Sequence, residues 1–208
     1  MRHSLKKIIH DTRLFLDLNH DAPPLVETLH DGNLSIDDII RSKVETAARQ
    51  VAQRLDNLLL APGKPIRASL AWPEGVPGHG MAVLPLPDDC LRLLTVRLTD
   101  WRRPAHIITE NDPEYRWQHT PWPGVGGNPS RPVAAICQRP TGMVAELYSS
   151  DGGRDVAIAV AQYYPVPHVT ADGTIDIPSL AYDDVVRQVA MLTAETIGYA
   201  NETTKAII

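Results

Sequence analysis

The chain has 208 residues, of which 43% are hydrophobic and 22% are charged, and these values suit one globular domain with a well-packed core. Its formal net charge of -5, with no run of Lys or Arg longer than a pair, argues against tight binding of nucleic acid. No segment approaches the ~18 apolar residues of a membrane span and none is typical of a signal peptide, so we expect synthesis in the cytosol and no membrane partner.

Two N-terminal segments have the apolar spacing of amphipathic helices. In the first, residues 5–18, apolar side chains recur at helical intervals, and Ser4 precedes them as a candidate N-cap. In the second, an apolar stripe runs over residues 36–58 opposite a charged face. Ser35 is followed three residues later by Asp38, which is close to a capping box. The sequence therefore predicts two helices before residue 62.

Between residues 66 and 165 the spacing changes to the alternation of β-strands. In LTVRLT, leucine and valine alternate with threonine and arginine, as in a strand buried on one face. VAAICQ, MVAELYS and VAIAVAQYY predict further strands. The last of these places Ile158 and Val160 on one face and Ala161 on the other.

A third amphipathic helix is expected after Pro178, because proline is tolerated at a helix start. The order helix, helix, β-segment, helix predicts an α+β fold. In it, a helical bundle of two N-terminal helices and one C-terminal helix carries an inserted small antiparallel β-sheet or sandwich. We expect a single domain over residues 1–208, divided into a helical part (1–62 and 176–200), a β insertion (66–165) and a C-terminal tail (201–208).

A His-Asp pair occurs three times near the N-terminus, at intervals of ten residues: His10-Asp11, His20-Asp21 and His30-Asp31. Both residue types bind transition metals, and a histidine held by a carboxylate is a common catalytic pair. The predicted layout puts the three pairs on a helix, in a loop and in a turn, and no HExxH motif completes a site. We therefore expect no metal, no cofactor and no catalytic residue. Cys90 and Cys137, in apolar strand-like surroundings, are expected to be reduced and structural.

The segment from 113 to 132, PEYRWQHTPWPGVGGNPSRP, is rich in proline, glycine and aromatic residues. It predicts a long loop, which a compact domain does not keep without a use. Exposed aromatic side chains are typical anchors of protein interfaces, so Tyr115, Trp117 and Trp122 are candidate interface residues. The alternative is that the two tryptophans fold back and cover the sheet.

Several segments, taken in order, resemble the head-to-tail connector adaptors (ring proteins) of tailed bacteriophages, especially short-tailed and related phages. They span about residues 5 to 200 and are LPLPDDCLRLLTVRLTDWRRP, AHIITENDPEYRWQ, RPVAAICQRPTGMVAELYSS, AVAQYYPVP and IDIPSLAYDDVVRQVAMLTAETIG. Such proteins are mostly helical bundles bearing a β insertion, and they form rings beneath the twelve-fold portal that extend the DNA channel toward the tail. The resemblance implies a structural virion protein at the head-tail junction, made in the host cytoplasm, that is not an enzyme.

The partners that this resemblance implies are the portal protein, neighbouring copies in a dodecameric ring, a downstream tail protein and passing DNA bound without sequence specificity. An acidic protein suits such a channel, because like charge removes the attraction that basic grooves exert on DNA. Ile207 and Ile208 follow a polar stretch, and we expect them to dock on the portal or an adjacent copy. Two alternatives remain open: a loop-built metal-dependent hydrolase that uses the His-Asp pairs, and a β-sandwich module that binds sugar or peptide through Trp117 and Trp122.

Overall fold

A computed structural model gives the structure of the protein and describes residues 1–18, 35–73, 80–120, 122, 125–150 and 155–197. Within these ranges the fold is α+β, as the sequence predicts, with five helices and nine strands. The helices are α1 (Leu5–Leu18), α2 (Ile36–Arg54), α3 (Asn57–Leu60), α4 (Pro113–Gln118) and α5 (Tyr182–Ile197). The strands are β1 (Arg2–Ser4), β2 (Lys64–Pro65), β3 (Gly80–Pro85), β4 (Cys90–Leu98), β5 (His106–Thr109), β6 (Val133–Arg139), β7 (Gly142–Ser150), β8 (Ile158–Pro165) and β9 (Thr174–Asp176).

The chain divides into two compact units. The helical unit comprises Met1–Ala61 and Val166–Ile208, and the β unit comprises Pro62–Pro165. The predicted division into a helical part, a β insertion and a tail stays a prediction, and the tail (201–208) lies outside the described residues. The expectation of a single domain stays a prediction. In the described residues, no helix is both long and apolar enough to cross a membrane.

Three amphipathic helices form the core of the helical unit. α1, α2 and α5 contact one another and bury one stripe each, so the helices predicted at these positions are confirmed. Fully or almost fully buried side chains at their contact are Ile8, Ile40, Val44, Val185 and Val189. The short strands β1 and β9 pair antiparallel beside them. Neither strand was predicted, because three residues are too few to give a periodic signal.

The start of α2 is fixed by the capping box that the sequence indicates. Ser35 Oγ accepts a hydrogen bond from the Asp38 backbone N at 3.2 Å, and the Asp38 carboxylate accepts one from Ser35 N, also at 3.2 Å. The helix ends at Arg54, earlier than the apolar stripe predicts. Leu55 and Asp56 are extended, and the Asp56 carboxylate accepts from Leu58 N at 3.1 Å to begin α3. The prediction is wrong at this break because an aspartate side chain competes for backbone donors.

The β unit contains two sheets. One has the strand order β2-β8-β4 and the other β3-β7-β6-β5. Both sheets contribute to one buried cluster, whose most enclosed members include Leu84, Leu93, Val96, Leu98 and Leu147. A second buried cluster, the outer-face cluster, covers the opposite face of the four-stranded sheet and consists of Ile108, Val133, Ala135, Cys137, Val144 and Tyr148.

The alternation of faces along β8 differs from the prediction. Along β8, Ala161 is buried and Val160 is exposed, although Ile158 packs on the same core as Ala161. A register shift causes this, because Arg97 pairs with Val160 while Leu98 pairs with Ile158. The extra residue in β8 inverts the alternation of faces.

Cys90 and Cys137 are free and buried, as expected.

The second sheet is not wholly antiparallel. β5 and β6 pair in parallel, with His106 opposite Val133. A parallel pair needs a crossover connection of a dozen or more residues, and residues 110–132, called here the crossover segment, provide it. The assignment of 113–132 as a long loop is wrong at its start, where Pro113 begins α4 in the first-turn position that proline tolerates.

The capping box yields a first prediction, on stability. Replacing Ser35 by Ala removes the side-chain acceptor for Asp38 N, and we expect the free energy of unfolding to fall by about 1 kcal/mol. Ser42, an exposed serine inside α2, is the matched control, and Ser42→Ala should change stability by less than about 0.5 kcal/mol. Urea unfolding monitored by circular dichroism measures both variants. Equal effects of the two substitutions would show that the cap does not stabilise α2.

Candidate interaction site on the β unit

A buried carboxylate on β7 attaches the crossover segment to the sheet. Glu146 is buried on the side of the outer-face cluster, and hydroxyl groups of two tyrosines reach its Oε2 atom. Tyr148 Oη donates at 2.7 Å and Tyr115 Oη at 3.0 Å. Arg139 Nε donates to Oε1 at 3.0 Å, and Nη2 donates to the same atom. Tyr115 belongs to α4, so this carboxylate joins α4 to β6 and β7.

The hydrogen bonds of this network determine the protonation states of its members. Burial alone would raise the pKa of Glu146, but the hydrogen bonds from Tyr148, Arg139 and Tyr115 outweigh it and the net pKa is lowered. Burial and the hydrogen bond to Glu146 raise the pKa of Tyr148, and burial raises that of Tyr115. Near neutral pH the carboxylate is therefore ionised and both phenols keep the protons that they donate.

Two further contacts fix the end of α4. His119 Nε2 lies 3.1 Å from Tyr148 Oη. Because that phenol gives its proton to Glu146, we assign the histidine Nε2 as the donor. Gln118 Oε1 accepts from Gly127 N at 2.8 Å and joins the end of α4 to the returning chain.

Gly127 lies where the returning chain passes very close to β7. A Cβ atom at this position would lie 2.2 Å from Ser149 Oγ, so no larger residue fits without a shift. Ser149 itself has a φ of 83°, which is uncommon for a residue with a side chain, and its carbonyl accepts from Trp101 Nε1 at 3.1 Å. The close approach holds the crossover segment against the end of β7.

An open cleft of about 630 Å³ lies beside α4. Its apolar lining includes Trp117, which is 51% exposed, and Val125, which is 48% exposed. Around them lie Arg103, Arg131, His106 and Glu114, and His106 Nε2 is 3.8 Å from Glu114 Oε2. We call this feature the basic cleft. Exposed apolar side chains beside arginines can bind a partner that combines an apolar group with a carboxylate.

The structure separates the candidate interface residues. Tyr115 is held within its own unit by the Glu146 network, and Trp117 lines the basic cleft. Trp122 is 71% exposed and is not among the residues lining that cleft. Neither tryptophan is buried on the sheet, contrary to the alternative that they cover it. Ile207 and Ile208 lie outside the described residues, and the interface role of all five residues stays a prediction.

Several residues of this site have little signal in the sequence. Glu146 interrupts the apolar strand MVAELYS, and a lone acid in a buried strand is the one mark that points to a polar network. Tyr115 reaches Arg139 and Glu146, and Trp117 reaches the cleft, because the parallel pairing of β5 and β6 brings the crossover segment over the sheet.

The His-Asp pairs do not form a cluster in the part of the chain that the structure describes. His10 is exposed on α1, and Asp11 accepts from Tyr182 Oη at 2.6 Å. The pairs at His20 and His30 lie outside the described residues. Among the described residues there is no group of three or more His, Cys, Asp or Glu side chains that could hold a metal ion.

No family model matches the chain, and no curated protein or solved structure matches it either. The resemblance in its segments to phage connectors therefore stands without a matched relative. Function is inferred from the side chains and their geometry.

The Glu146 network yields a prediction with a defined pH dependence. Glu146→Gln leaves Nε and Nη2 of Arg139 without a carboxylate, and we expect a loss of about 2 to 4 kcal/mol of stability at pH 7. The folded pKa of Glu146 is lowered, so its contribution is present above the unfolded-state pKa and is lost as pH falls through the folded one. The difference between wild type and variant should therefore shrink below about pH 4.

The measurement is urea unfolding of both proteins from pH 3 to pH 7. Glu110→Gln serves as the control, since Glu110 is an exposed partner of the same arginine at 3.6 Å and should cost less than about 1 kcal/mol. A wild-type-to-variant difference that stays constant with pH would contradict the assigned role of the Glu146 charge.

Proposed function

We propose that this protein is a structural adaptor of a tailed-phage virion, which forms a ring between the portal and the tail and extends the DNA channel. In this proposal the chain is a three-helix bundle with an inserted β-sandwich at the head-tail junction. Its partners are the portal protein, neighbouring copies of itself and a downstream tail protein. The protein catalyses no reaction and lets DNA pass without sequence-specific contacts.

The observation that carries the proposal is that Trp117 is exposed on a helix that is held firmly against the sheet. Its side chain is half exposed in an open cleft, yet the helix that bears it is attached to the sheet by Tyr115 two residues earlier. An exposed aromatic side chain on a fixed backbone binds a partner at low entropic cost. Such residues are typical anchors at the centre of protein interfaces.

The titratable groups support a structural role over a catalytic one. Each polar member of the Glu146 network is hydrogen-bonded within it, and the shifts keep its carboxylate ionised and its phenols protonated near neutral pH. Burial likewise raises the pKa of the Cys137 thiol to about 11, which disfavours a thiolate nucleophile. The net charge of -5 agrees with a channel protein that does not retain DNA.

A second candidate is a module that binds a small ligand or peptide. The basic cleft favours it, because an indole ring beside arginine side chains can hold an anionic or sugar-like group. The two functions differ in stoichiometry. A ligand-binding module stays a monomer whose melting temperature rises with ligand, whereas an adaptor forms a ring on the portal.

The test of the proposed function uses the portal protein encoded by the same genome. We expect the isolated chain to be largely monomeric by light scattering and to form a ring only when it is mixed with assembled portal. Electron microscopy of the mixture should give twelve-fold averages with added density beneath the portal. A gene neighbourhood without a portal gene, or a stable ring at micromolar concentration without portal, would contradict this picture.

The anchor residue gives a further prediction. Trp117→Ala should weaken association with the neighbouring copy or tail component by about 2 kcal/mol or more, because it removes the aromatic lining of the cleft. Unfolding free energy should stay near that of the wild type, since the side chain is half exposed. Trp122→Ala, in the same segment but outside the cleft, is the comparison. Normal assembly of both variants, or unfolding of both, would exclude the tryptophans as interface anchors.

A further inference from the structure

A second exposed apolar surface lies on the helical unit. Leu58 on α3 is 80% exposed, and Leu180 in the 3-10 turn Ser179–Ala181 is 74% exposed. α3 and this turn contact each other, so the two leucines belong to neighbouring elements. Single exposed leucines are ordinary, but such a pair on adjoining elements is a small apolar patch.

This patch has an acidic border. Asp183 and Asp184 follow Leu180 in the first turn of α5, and Asp56 precedes Leu58; all three are exposed. The backbone beneath is fixed, since Asp56 caps α3 and Ala181 N donates to the Pro178 carbonyl at 2.9 Å. We call this surface, formed by Leu58, Leu180 and the three aspartates, the acidic patch.

The basic cleft has the opposite character. Arg103 and Arg131 are exposed on its rim, and no carboxylate of a described residue lies within ion-pair distance of either. The backbone at Arg131 is held in place, because its N–H donates to Asn128 Oδ1 at 3.0 Å. The two arginines outnumber Glu114, the acidic residue of the lining, so with half-exposed Trp117 they give the cleft a cationic, partly apolar surface on a protein whose net charge is -5.

We infer that neighbouring copies in the ring meet through these two surfaces, with the acidic patch of one copy docked in the basic cleft of the next. The inference rests on the proposed function, because it names the contact that would build the ring. Each surface offers exposed apolar side chains of moderate size, and their charged borders are of opposite sign.

Charge also decides which pairing forms. Two basic clefts facing each other would bring arginines together, and two acidic patches would bring aspartates together; both arrangements are repulsive. Pairing of cleft with patch is attractive and joins unlike surfaces. Such a head-to-tail contact is the kind that closes into rings, whereas a contact between identical surfaces stops at a dimer.

The contact is tested by site-directed cross-linking between two different variants. One carries Ser179→Cys beside Leu180, and the other carries Val125→Cys in the cleft. The native thiols Cys90 and Cys137 are buried and should not react. We expect a short bismaleimide to give a covalent dimer in the mixture, at about fivefold or more above either variant alone, because only the mixture presents both faces of a heterologous contact.

The matched control replaces Ser42, an exposed serine of α2, by Cys. It lies about 18 Å along the helix axis from the end of α2 at Arg54, and Ser42→Cys mixed with Val125→Cys should give only background dimer. Equal yields from the Ser179 and Ser42 variants would overturn the inference.

Charge reversal adds a readout that tests the pairing itself. Arg131→Glu in the cleft variant, or Asp184→Arg in the patch variant, should lower the yield of dimer by about fivefold, and the combination of both should restore most of it. Failure of the double reversal to restore the yield would show that these two surfaces do not face each other.

The same variants separate this inference from the proposed function. Dimer formation in concentrated protein without a ring on the portal would leave the contact standing and reject the adaptor role. A ring on the portal in which Ser179→Cys and Val125→Cys give no adduct would keep the adaptor role and reject this contact. No adduct in either sample overturns the contact outright.

Discussion

The Glu146 carboxylate is the interaction on which the organisation of the β unit depends. A buried charge is costly unless it is paired, and here three side chains from β6, β7 and α4 donate to it. The same hydrogen bonds that hold the pKa of Glu146 down attach α4 to the sheet. The ionisation of Glu146 and the position of α4 therefore depend on the same hydrogen bonds. The carboxylate stays ionised because α4 and β6 supply donors to it.

This constraint has a consequence for the molecular surface. The parallel pairing of β5 and β6 forces a long connection across one face of the sheet, and Tyr115 packs half-buried against that face while Trp117 does not. About half a turn of helix thus separates an inward from an outward aromatic residue. The network gives Trp117 a fixed position in an open cleft, which is what an interface anchor needs.

Each of the two units buries its own apolar core and, among its described residues, leaves an apolar surface exposed beside charged side chains. On the helical unit that surface is bordered by aspartates, and on the β unit it is bordered by arginines. The net charge of -5 does not reveal this separation of acidic and basic surfaces, because acidic side chains outnumber basic ones over the whole chain. In the proposed ring, repeated contacts between unlike surfaces would use both.

The sequence by itself determined the elements whose signals are local. The helices α1, α2 and α5, the capping box at Ser35 and the strands β4, β6 and β7 follow from spacing within single segments, the longest of which has 19 residues. The break at Asp56, the shifted register of β8 and the helix within residues 113–118 depend on hydrogen bonds that compete with that spacing. Trp117 was a candidate from composition alone. The tertiary structure decided that Glu146 and Arg139 hold the crossover segment in place. It also decided that Arg103, Val125 and Arg131 lie around Trp117. The reason is that a parallel strand pair joins residues far apart in the chain, and no local pattern encodes which strands will pair.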